Sequence, residues 1–426
     1  MVFTTTVMAQ TAPLLTLKEA VEIALQNNYN IKLSQNYTTI VKNNVTLGNA
    51  GFLPSVNGNL SSNNSVQTTE VLRADGARTA FTNARNSNLS YGVSLNWTIF
   101  NGFAMFANLN QLKELNKLGD INARDTVLRT VSNVMATYYN LINQNQILIS
   151  LQGAMRISRT QLRYANDKFS VGTVSKLDVL NAEVNLNTDT ANYVSQLQQF
   201  KNTKIQLNQL LVRDLQTDFS VADTIIVDDK IVFSDILNSA NTQNPAILSA
   251  QINKRLAEIN LKQVRSTRYP QVGVSTGYNF SNSHSPSGFA QYQNAHGLNY
   301  GLTATINIFD GFNQNRLEKN AKIQIDNSEI NYNKTKQTVV AQINTLYNNY
   351  TSGLDLTRLG ESNVGVARHN LDISLEKYRL GNITPLEVRQ AEENFLDAQV
   401  KFFAAQYQSK IAEITLKQIS NNINIQ

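Results

Sequence analysis

The sequence is poor in cysteine and histidine, two side chains that enzymes often use as nucleophiles, general bases and metal ligands. Its 426 residues include no cysteine and three histidines, which excludes thiol nucleophiles, zinc–thiolate sites and iron–sulfur clusters. Residues 273–277 match the G-x-S-x-G pattern of a serine nucleophile, but that pattern requires a sharp turn from a strand into a helix. Here it lies inside a segment that alternates as one strand. We therefore predict no catalytic residue and no enzymatic activity.

The histidines give little reason to expect a bound metal. His284 and His296 lie near one predicted hairpin loop and could meet in space, whereas His369 stands alone in a helical pattern. Three scattered histidines cannot build a histidine-rich site, and there is no cysteine to complete one. We predict no metal site and no cofactor.

The charge pattern excludes a further class of protein. There are 37 Lys and Arg against 31 Asp and Glu, and the net charge of +6 is spread without any block of five or six basic residues. We therefore predict no binding to nucleic acid.

No window holds about 18 apolar residues in a row, which excludes a transmembrane helix. Residues 1–10, with a Val-Met-Ala that resembles a signal-peptidase site, are predicted to be the remnant of an export signal or, alternatively, a frayed terminus.

The chain contains an internal duplication. Residues 91–103 and 300–312 share a pattern that begins Tyr-Gly and ends Ile-Phe-(Asn/Asp)-Gly-Phe, and the same offset of 209 residues aligns 168–179 with 377–388. Upstream the offset is 216, which aligns Asn28 with Asn244. Two motifs that keep their register across most of a half indicate a structural repeat.

Each half contains two segments with period-two alternation. Residues 269–309 contain no Asp, Glu, Lys or Arg, and one face is apolar and aromatic while the other is small and polar. Runs of about 10 residues of this kind are typical of transmembrane β-strands. A fragment of a soluble β-sandwich is the alternative. In the first half the same alternation places Trp97 and Ile99 on the apolar face. The residues predicted to face lipid are Tyr91, Trp97, Val272, Val274, Tyr278, Tyr300 and Ile306.

Four strands are too few to close a barrel, because the smallest transmembrane barrels have about 8. Lipid offers no hydrogen bonds to an open sheet edge. The chain is therefore expected to share a barrel with other copies, and two copies would supply eight strands and three would supply twelve.

Long helices follow the strands. From Phe103 to Val171 there is no proline, and apolar residues recur with 4-3 spacing, as they do again from Ala391 to Ile419. Such spacing predicts coiled-coil seams. A continuous helix of that length spans on the order of 100 Å, which is longer than one globular domain.

A glycine-led turn separates the two long helices of each half. Ser175 and Thr384 each precede an acidic residue by three positions, Asp178 and Glu387. This is the spacing of a capping box at a helix start. The turns are therefore predicted to be the tips of two helical hairpins.

These patterns divide the chain into predicted domains. They are the export remnant (1–10), a first repeat (11–211) with a β-hairpin at about 52–101 and a helical hairpin at about 103–211, a linker (212–232), a second repeat (233–420) with a β-hairpin at about 268–310 and a helical hairpin at about 312–420, and a C-terminal tail (421–426).

The ordered set of motifs resembles the TolC family of outer-membrane efflux and secretion channels over about residues 16–420. The matching pieces are residues 99–103, 177–183 and 378–381, repeated in both halves. The resemblance implies a mixed α+β membrane protein, a homotrimer whose twelve strands, four per chain, close one transmembrane β-barrel in the outer membrane of a Gram-negative bacterium. That barrel would continue into a coiled-coil α-helical barrel in the periplasm, encircled by a belt to which the linker and the C-terminus contribute.

The function implied by the resemblance is that of the outer-membrane channel of a tripartite efflux pump. It would be a passive conduit, opened at its helical tip by a periplasmic adaptor protein and an inner-membrane transporter. A type I protein secretion channel is the first alternative. A structural coiled-coil stalk with a soluble β-head is the second, although a soluble head would not need charge-free strands.

The resemblance also assigns roles at the tips. In a trimer, Asp178 and Glu387 would each form a ring of three carboxylates that draws cations, while the alternative is that they only cap helices. The implied gating and selectivity residues are Asp178, Glu387, Tyr378, Phe169, Asn181 and Gln390, and the implied adaptor contacts are Gly172, Thr173, Val174, Gly381, Asn382 and Ile383. Ile383 stands where the family commonly has a basic residue, and Gln390 where it has a second carboxylate.

Overall fold

The computed structural model describes residues 13–288 and 290–423. The predicted export remnant at residues 1–10 lies outside the described residues, as does the end of the predicted tail. The helices of the described part are α1 (Leu17–Asn27), α2 (Tyr29–Asn43), α3 (Leu47–Ala50), α4 (Ala104–Ser170), α5 (Lys176–Leu211), α6 (Phe233–Gln243), α7 (Pro245–Ser266), α8 (Asn313–Arg379) and α9 (Pro385–Ile419). None of these helices combines the length and the apolarity that a membrane span requires.

Four strands form one antiparallel sheet. They are β1 (Ser55–Leu72), β2 (Arg78–Asn101), β3 (Gln271–His284) and β4 (Tyr292–Thr305), and they lie side by side in chain order. Each half of the chain therefore supplies one hairpin, and β2 pairs with β3 to join the two hairpins. The element order of short helices, hairpin and two long helices occurs twice, which confirms the predicted repeat.

The sheet register collects the alternating apolar residues on one face. Trp97 pairs with Val274, which pairs in turn with Leu302, and Val93 pairs with Tyr278. Directly opposed residues share a face, so the period-two prediction is confirmed for most of its length. Tyr91 stacks on Phe280, the residue it opposes, with ring centroids 4.9 Å apart.

Two details of the strand prediction are wrong. β4 ends at Thr305, so Ile306 lies outside the strand in which we placed it. The residue that would oppose Ile306 is Pro270, which precedes β3 and has no N–H to donate to the ladder. In β2, a register shift between Thr98 and Phe100 places Phe100 opposite Val272 and displaces Ile99 from the predicted alternation.

The described residues cluster into two compact units that do not coincide with the repeats. The first contains residues 13–37, Ile121–Ser249 and 333–423, and the second contains Thr38–Asp120 and Ala250–Tyr332. Both repeats contribute to each unit. The second unit contains the whole sheet, and the first contains the helical tips.

The core of the first unit draws on the linker as well as on the long helices. Phe219 from the linker packs with Val134 and Leu141 of α4, Leu207 of α5 and Ile414 of α9. All five are nearly inaccessible to solvent. The segment between α5 and α6 is therefore part of the packed helical core, although it has no regular structure of its own.

Candidate functional site at the helical tips

The two tips have the same local construction. Gly172 and Gly381 adopt positive φ angles of 77° and 80°, the left-handed conformation that favours glycine after a helix. In the second tip, the N–H of Asn382 donates to the Lys377 carbonyl at 2.9 Å, and that of Gly381 donates to the Tyr378 carbonyl at 3.1 Å. This pair of bonds closes α8 and lets the chain reverse.

Capping boxes begin the helices that follow the turns. The backbone N–H of Ser175 donates to the Asp178 carboxylate at 2.9 Å, and that of Thr384 donates to Glu387 at 2.7 Å. The hydroxyls return bonds by accepting from the acidic residues' own N–H groups. The capping role predicted from the spacing is therefore confirmed in both tips.

The capping bonds also fix the charge of the two carboxylates. Hydrogen bonds from the side chain and backbone of Ser175 lower the pKa of Asp178, and those from the backbone and side chain of Thr384 lower the pKa of Glu387. Both groups are consequently anionic at neutral pH, which is the state that a carboxylate ring requires.

An aromatic contact joins the first tip to the second. The Lys168 ammonium lies 4.5 Å from the centroid of the Tyr378 ring, a favourable cation–π arrangement. Tyr378 is buried, and burial, followed by the charge of Asp178, raises the pKa of its phenol. Phe169, its counterpart in the first repeat, is 42% exposed. The two repeats therefore differ in how they pack their tip aromatics.

A cleft of about 1110 Å³ opens between the two tips. The predicted residues that line it are Thr173, Val174, Asp178, Asn181, Tyr378, Gly381 and Ile383. The remaining predicted tip residues, Phe169, Gly172, Asn382, Glu387 and Gln390, are not in its lining. The fold therefore gathers about half of the predicted set around one concave surface.

Sequence reasoning missed a largely buried polar cluster at the wall of this cleft, which two of its members, Gln161 and Arg389, line. Arg389 of α9 donates two hydrogen bonds to Asp189 of α5, at 2.8 and 3.0 Å, and its Nη1 lies 3.6 Å from Glu392. Ser158 and Gln161 of α4 donate to Asp189 and Glu392 respectively. A signal was available, because the repeat counterparts of Asp189 and Arg389 are the apolar residues Ala398 and Leu180.

The electrostatics of this cluster are unusual. Burial raises the pKa of Glu392 to about 7; Arg389 opposes this shift and Asp189 adds to it. Burial disfavours the charge of Arg389, but its bonds to Asp189 and the nearby glutamates raise its pKa above its ordinary value. Arg389 therefore stays charged while Glu392 titrates near neutrality.

Ser275, His284 and His296, which the sequence offered for enzymatic or metal chemistry, lie in the sheet, whereas His369 lies in α8. Ser275 of the G-x-S-x-G pattern pairs with Asn96 and Gly301 in the middle of β3, without the turn that a nucleophile elbow needs. His296 opposes Phe280, four residues along β3 from His284. No group of three or more potential metal ligands occurs among the described residues.

Comparisons with known proteins agree on one family. The family model described as "Outer membrane efflux protein" matches residues 20–212 and 236–422. The outer membrane protein TolC of Salmonella enteritidis is 24% identical over 355 residues, which cover 81% of this chain and 71% of that protein. The outer membrane efflux protein BepC of Brucella suis biovar 1 is 20% identical over 403 residues, which cover 94% and 84% of the two chains.

A solved structure shares the fold. The crystal structure of the CmeC outer membrane channel of Campylobacter jejuni superposes with a TM-score of 0.81 at 19% identity, covering 95% of this chain and 85% of that one.

Proposed function

The chain belongs to the outer membrane efflux protein family, and on this premise we propose that it is the outer-membrane channel of a tripartite efflux pump. It resides in the outer membrane with its helical part in the periplasm, and it acts as a conduit rather than as an enzyme. Family channels are trimeric and work with efflux-pump partners, and we propose a periplasmic adaptor and an inner-membrane transporter for this chain.

The observation that carries this proposal is the state of the sheet edges. β1 and β4 each pair with only one strand in the described chain, so each leaves one edge of the sheet open. One face of that sheet is apolar and largely exposed, with Tyr300 84% and Leu302 70% accessible. An apolar sheet can enter lipid only when both edges are paired. Joining β4 of one copy to β1 of the next closes twelve strands from three copies.

The carboxylates at the helical tips support a channel entrance at that end of the molecule. In a threefold assembly, Asp178 and Glu387 would each repeat three times around the axis, and both are anionic at neutral pH. Negative charges that converge on a pore attract cations and repel anions. We assign selectivity to these two residues and gating to Tyr378, Phe169, Asn181 and Gln390.

The glycine turns support a docking surface for the adaptor. Thr173, Val174, Gly381 and Ile383 line the cleft, while Gly172 and Asn382 complete the turns on either side. Ile383 contributes an apolar side chain where a basic one is usual in the family, so adaptor contact at this position would rest on packing rather than on charge. Bulky insertions in either turn should abolish crosslinking to a co-expressed adaptor without dissociating the trimer.

The mass of the purified protein in detergent tests the proposal as a whole. Three chains of 47.5 kDa make an assembly of about 140 kDa once light scattering has been corrected for bound detergent. A trimer confined to the membrane fraction, with discrete conductance steps in a planar bilayer, is the expected result. A monomer or dimer that stays in solution without detergent would contradict the proposal and favour the coiled-coil stalk.

A further inference from the structure

Two buried carboxylates share one largely buried guanidinium, that of Arg389, which also lines the tip cleft. The side chains of Asp189, Arg389 and Glu392 are 2%, 14% and 3% exposed. The three residues connect α5 to α9, and Ser158 and Gln161 bring α4 into the same cluster. None of these residues is among those to which we assign selectivity, gating or adaptor contact.

The two carboxylates receive unequal shares of the available donors. Asp189 accepts both hydrogen bonds of the Arg389 fork and a third bond from the Ser158 hydroxyl. Glu392 accepts one long bond, 3.4 Å, from the Gln161 amide, and its Oε1 is buried without a hydrogen-bond partner among the described residues. An ionised carboxylate in that position would lack the donors that normally replace its hydration.

The charges do not balance if both carboxylates are ionised. Arg389 is also engaged by Glu393, whose side chain is half exposed and 2.8 Å away. One positive charge would then face two buried negative charges and a third partly solvated one. A buried site in this condition relieves the repulsion by binding a proton. Asp189 has the better donors, so the proton belongs on Glu392.

We propose that Glu392 is a buried proton-binding site whose occupancy sets how firmly α9 is held against α4 and α5 beneath the tip. The polar and charged groups of the cluster that surround it are Ser158 and Gln161 from α4, Asp189 from α5, and Arg389 and Glu393 from α9. With the proton bound, the charges of Arg389 and Asp189 balance, the one remaining negative charge is that of the half-exposed Glu393, and the helices stay packed. Without it, an unbalanced negative charge lies between them.

The direction of the pH effect follows from linkage. The pKa of Glu392 is about 7 in the folded protein and 4.5 when unperturbed, so the folded cluster binds a proton that the unfolded chain does not hold between these values. The stabilisation is complete below the lower value and is lost as the pH rises through about 7. This consequence rests on the proposed function: in such a channel, weaker packing of α9 at the tip makes the entrance easier to open at alkaline pH.

Infrared titration of the full-length protein in detergent tests the site directly. Between about pH 5.5 and about pH 8.5, wild type should lose a protonated carboxylic acid band with a midpoint near neutrality. Glu392→Gln should lack that band, and Glu393→Gln, which changes the adjacent half-exposed carboxylate, should keep it. Persistence of the band in Glu392→Gln would overturn the proposal.

Hydrogen exchange tests the consequence for packing. Amide protection in the first half of α9, corrected for the intrinsic pH dependence of exchange, should fall several-fold from the acidic to the alkaline end in wild type and should stay constant in Glu392→Gln. A flat wild-type profile would overturn the proposal.

A second variant keeps the proposal testable if Glu392→Gln folds poorly. Asp189→Asn removes the neighbouring negative charge and releases Arg389 toward Glu392, so the midpoint of the acid band should move to lower pH. An unchanged midpoint would overturn the shared-charge argument. None of these measurements uses transport, so a protein that forms no channel would refute the proposed function and leave the proton site standing.

Discussion

Asn28 and Asn244, which correspond in the two repeats, make the same contacts in both halves of the chain. The Asn28 amide donates to the Leu210 carbonyl at 2.9 Å, and the Asn244 amide donates to the Ile419 carbonyl at 2.9 Å. Each side-chain oxygen also accepts from the N–H groups two and three residues ahead. One side chain thus begins a helix and holds the C-terminal end of another.

This pairing predicts equal losses on truncation. Asn28→Ala or Asn244→Ala removes the helix cap. Each also removes the amide that donates, at 2.9 Å, to the carbonyl of Leu210 or Ile419. Each substitution should therefore lower the free energy of unfolding by about 2–3 kcal/mol. Urea unfolding in detergent, followed by circular dichroism, measures the loss. Asn30→Ala, at an exposed position on the same helix, should change stability by less than about 0.5 kcal/mol. A similar loss in all three variants would contradict the prediction.

The tip carboxylates should set ion selectivity. Neutralising both, with Asp178→Asn and Glu387→Gln, should reduce the preference for cations, because the paired rings of negative charge disappear. The shift of reversal potential in asymmetric KCl across a planar bilayer measures it.

A control variant that lacks the caps distinguishes the effect of the carboxylate charges on selectivity from their effect on helix stability. Ser175→Ala with Thr384→Ala deletes the hydroxyls that bond the two carboxylates but keeps both charges, so selectivity should survive. If the neutralised channel is as cation-selective as wild type, the carboxylates only cap helices.

A charge on the apolar face of the sheet should block membrane insertion. Val274 lies between Trp97 and Leu302, whereas its neighbour Ser275 lies between Asn96 and Gly301 on the opposite face. A lysine facing the middle of a bilayer costs about 2–4 kcal/mol, while one facing a water-filled lumen is tolerated. Val274→Lys should therefore reduce the yield of membrane-embedded trimer far more than Ser275→Lys. Equal yields would mean that the apolar face does not contact lipid.

Two corresponding glycines should respond differently to an added methyl group. Gly102 and Gly311 have φ angles of 66° and 68°, so alanine at either position costs about 1–2 kcal/mol of backbone strain. At Gly102 the new Cβ would also collide with the Ser266 carbonyl oxygen, whereas at Gly311 nothing lies within 4 Å. Gly102→Ala should lower the thermal midpoint clearly more than Gly311→Ala, and equal shifts would contradict the packing at Ser266.

Much of the architecture could be predicted from local patterns. Alternation with period two predicted the strands, 4-3 spacing predicted the long helices, and the Ser175 and Thr384 motifs predicted both capping boxes. These features depend on neighbours within a few residues, so the sequence carries them directly. The duplication was equally accessible, because both copies lie in one chain and can be compared with each other.

The tertiary structure decided what depends on the meeting of distant segments. Strand register, set by the partner strand and by Pro270, ended β4 before Ile306 and moved Ile99 out of the alternation. The Asp189–Arg389 pair joins residues 200 positions apart. They meet because of the orientation that α5 and α9 take about their own axes when they pack. Local periodicity shows which residues share a face of one helix, but it does not show which face of another helix they will meet.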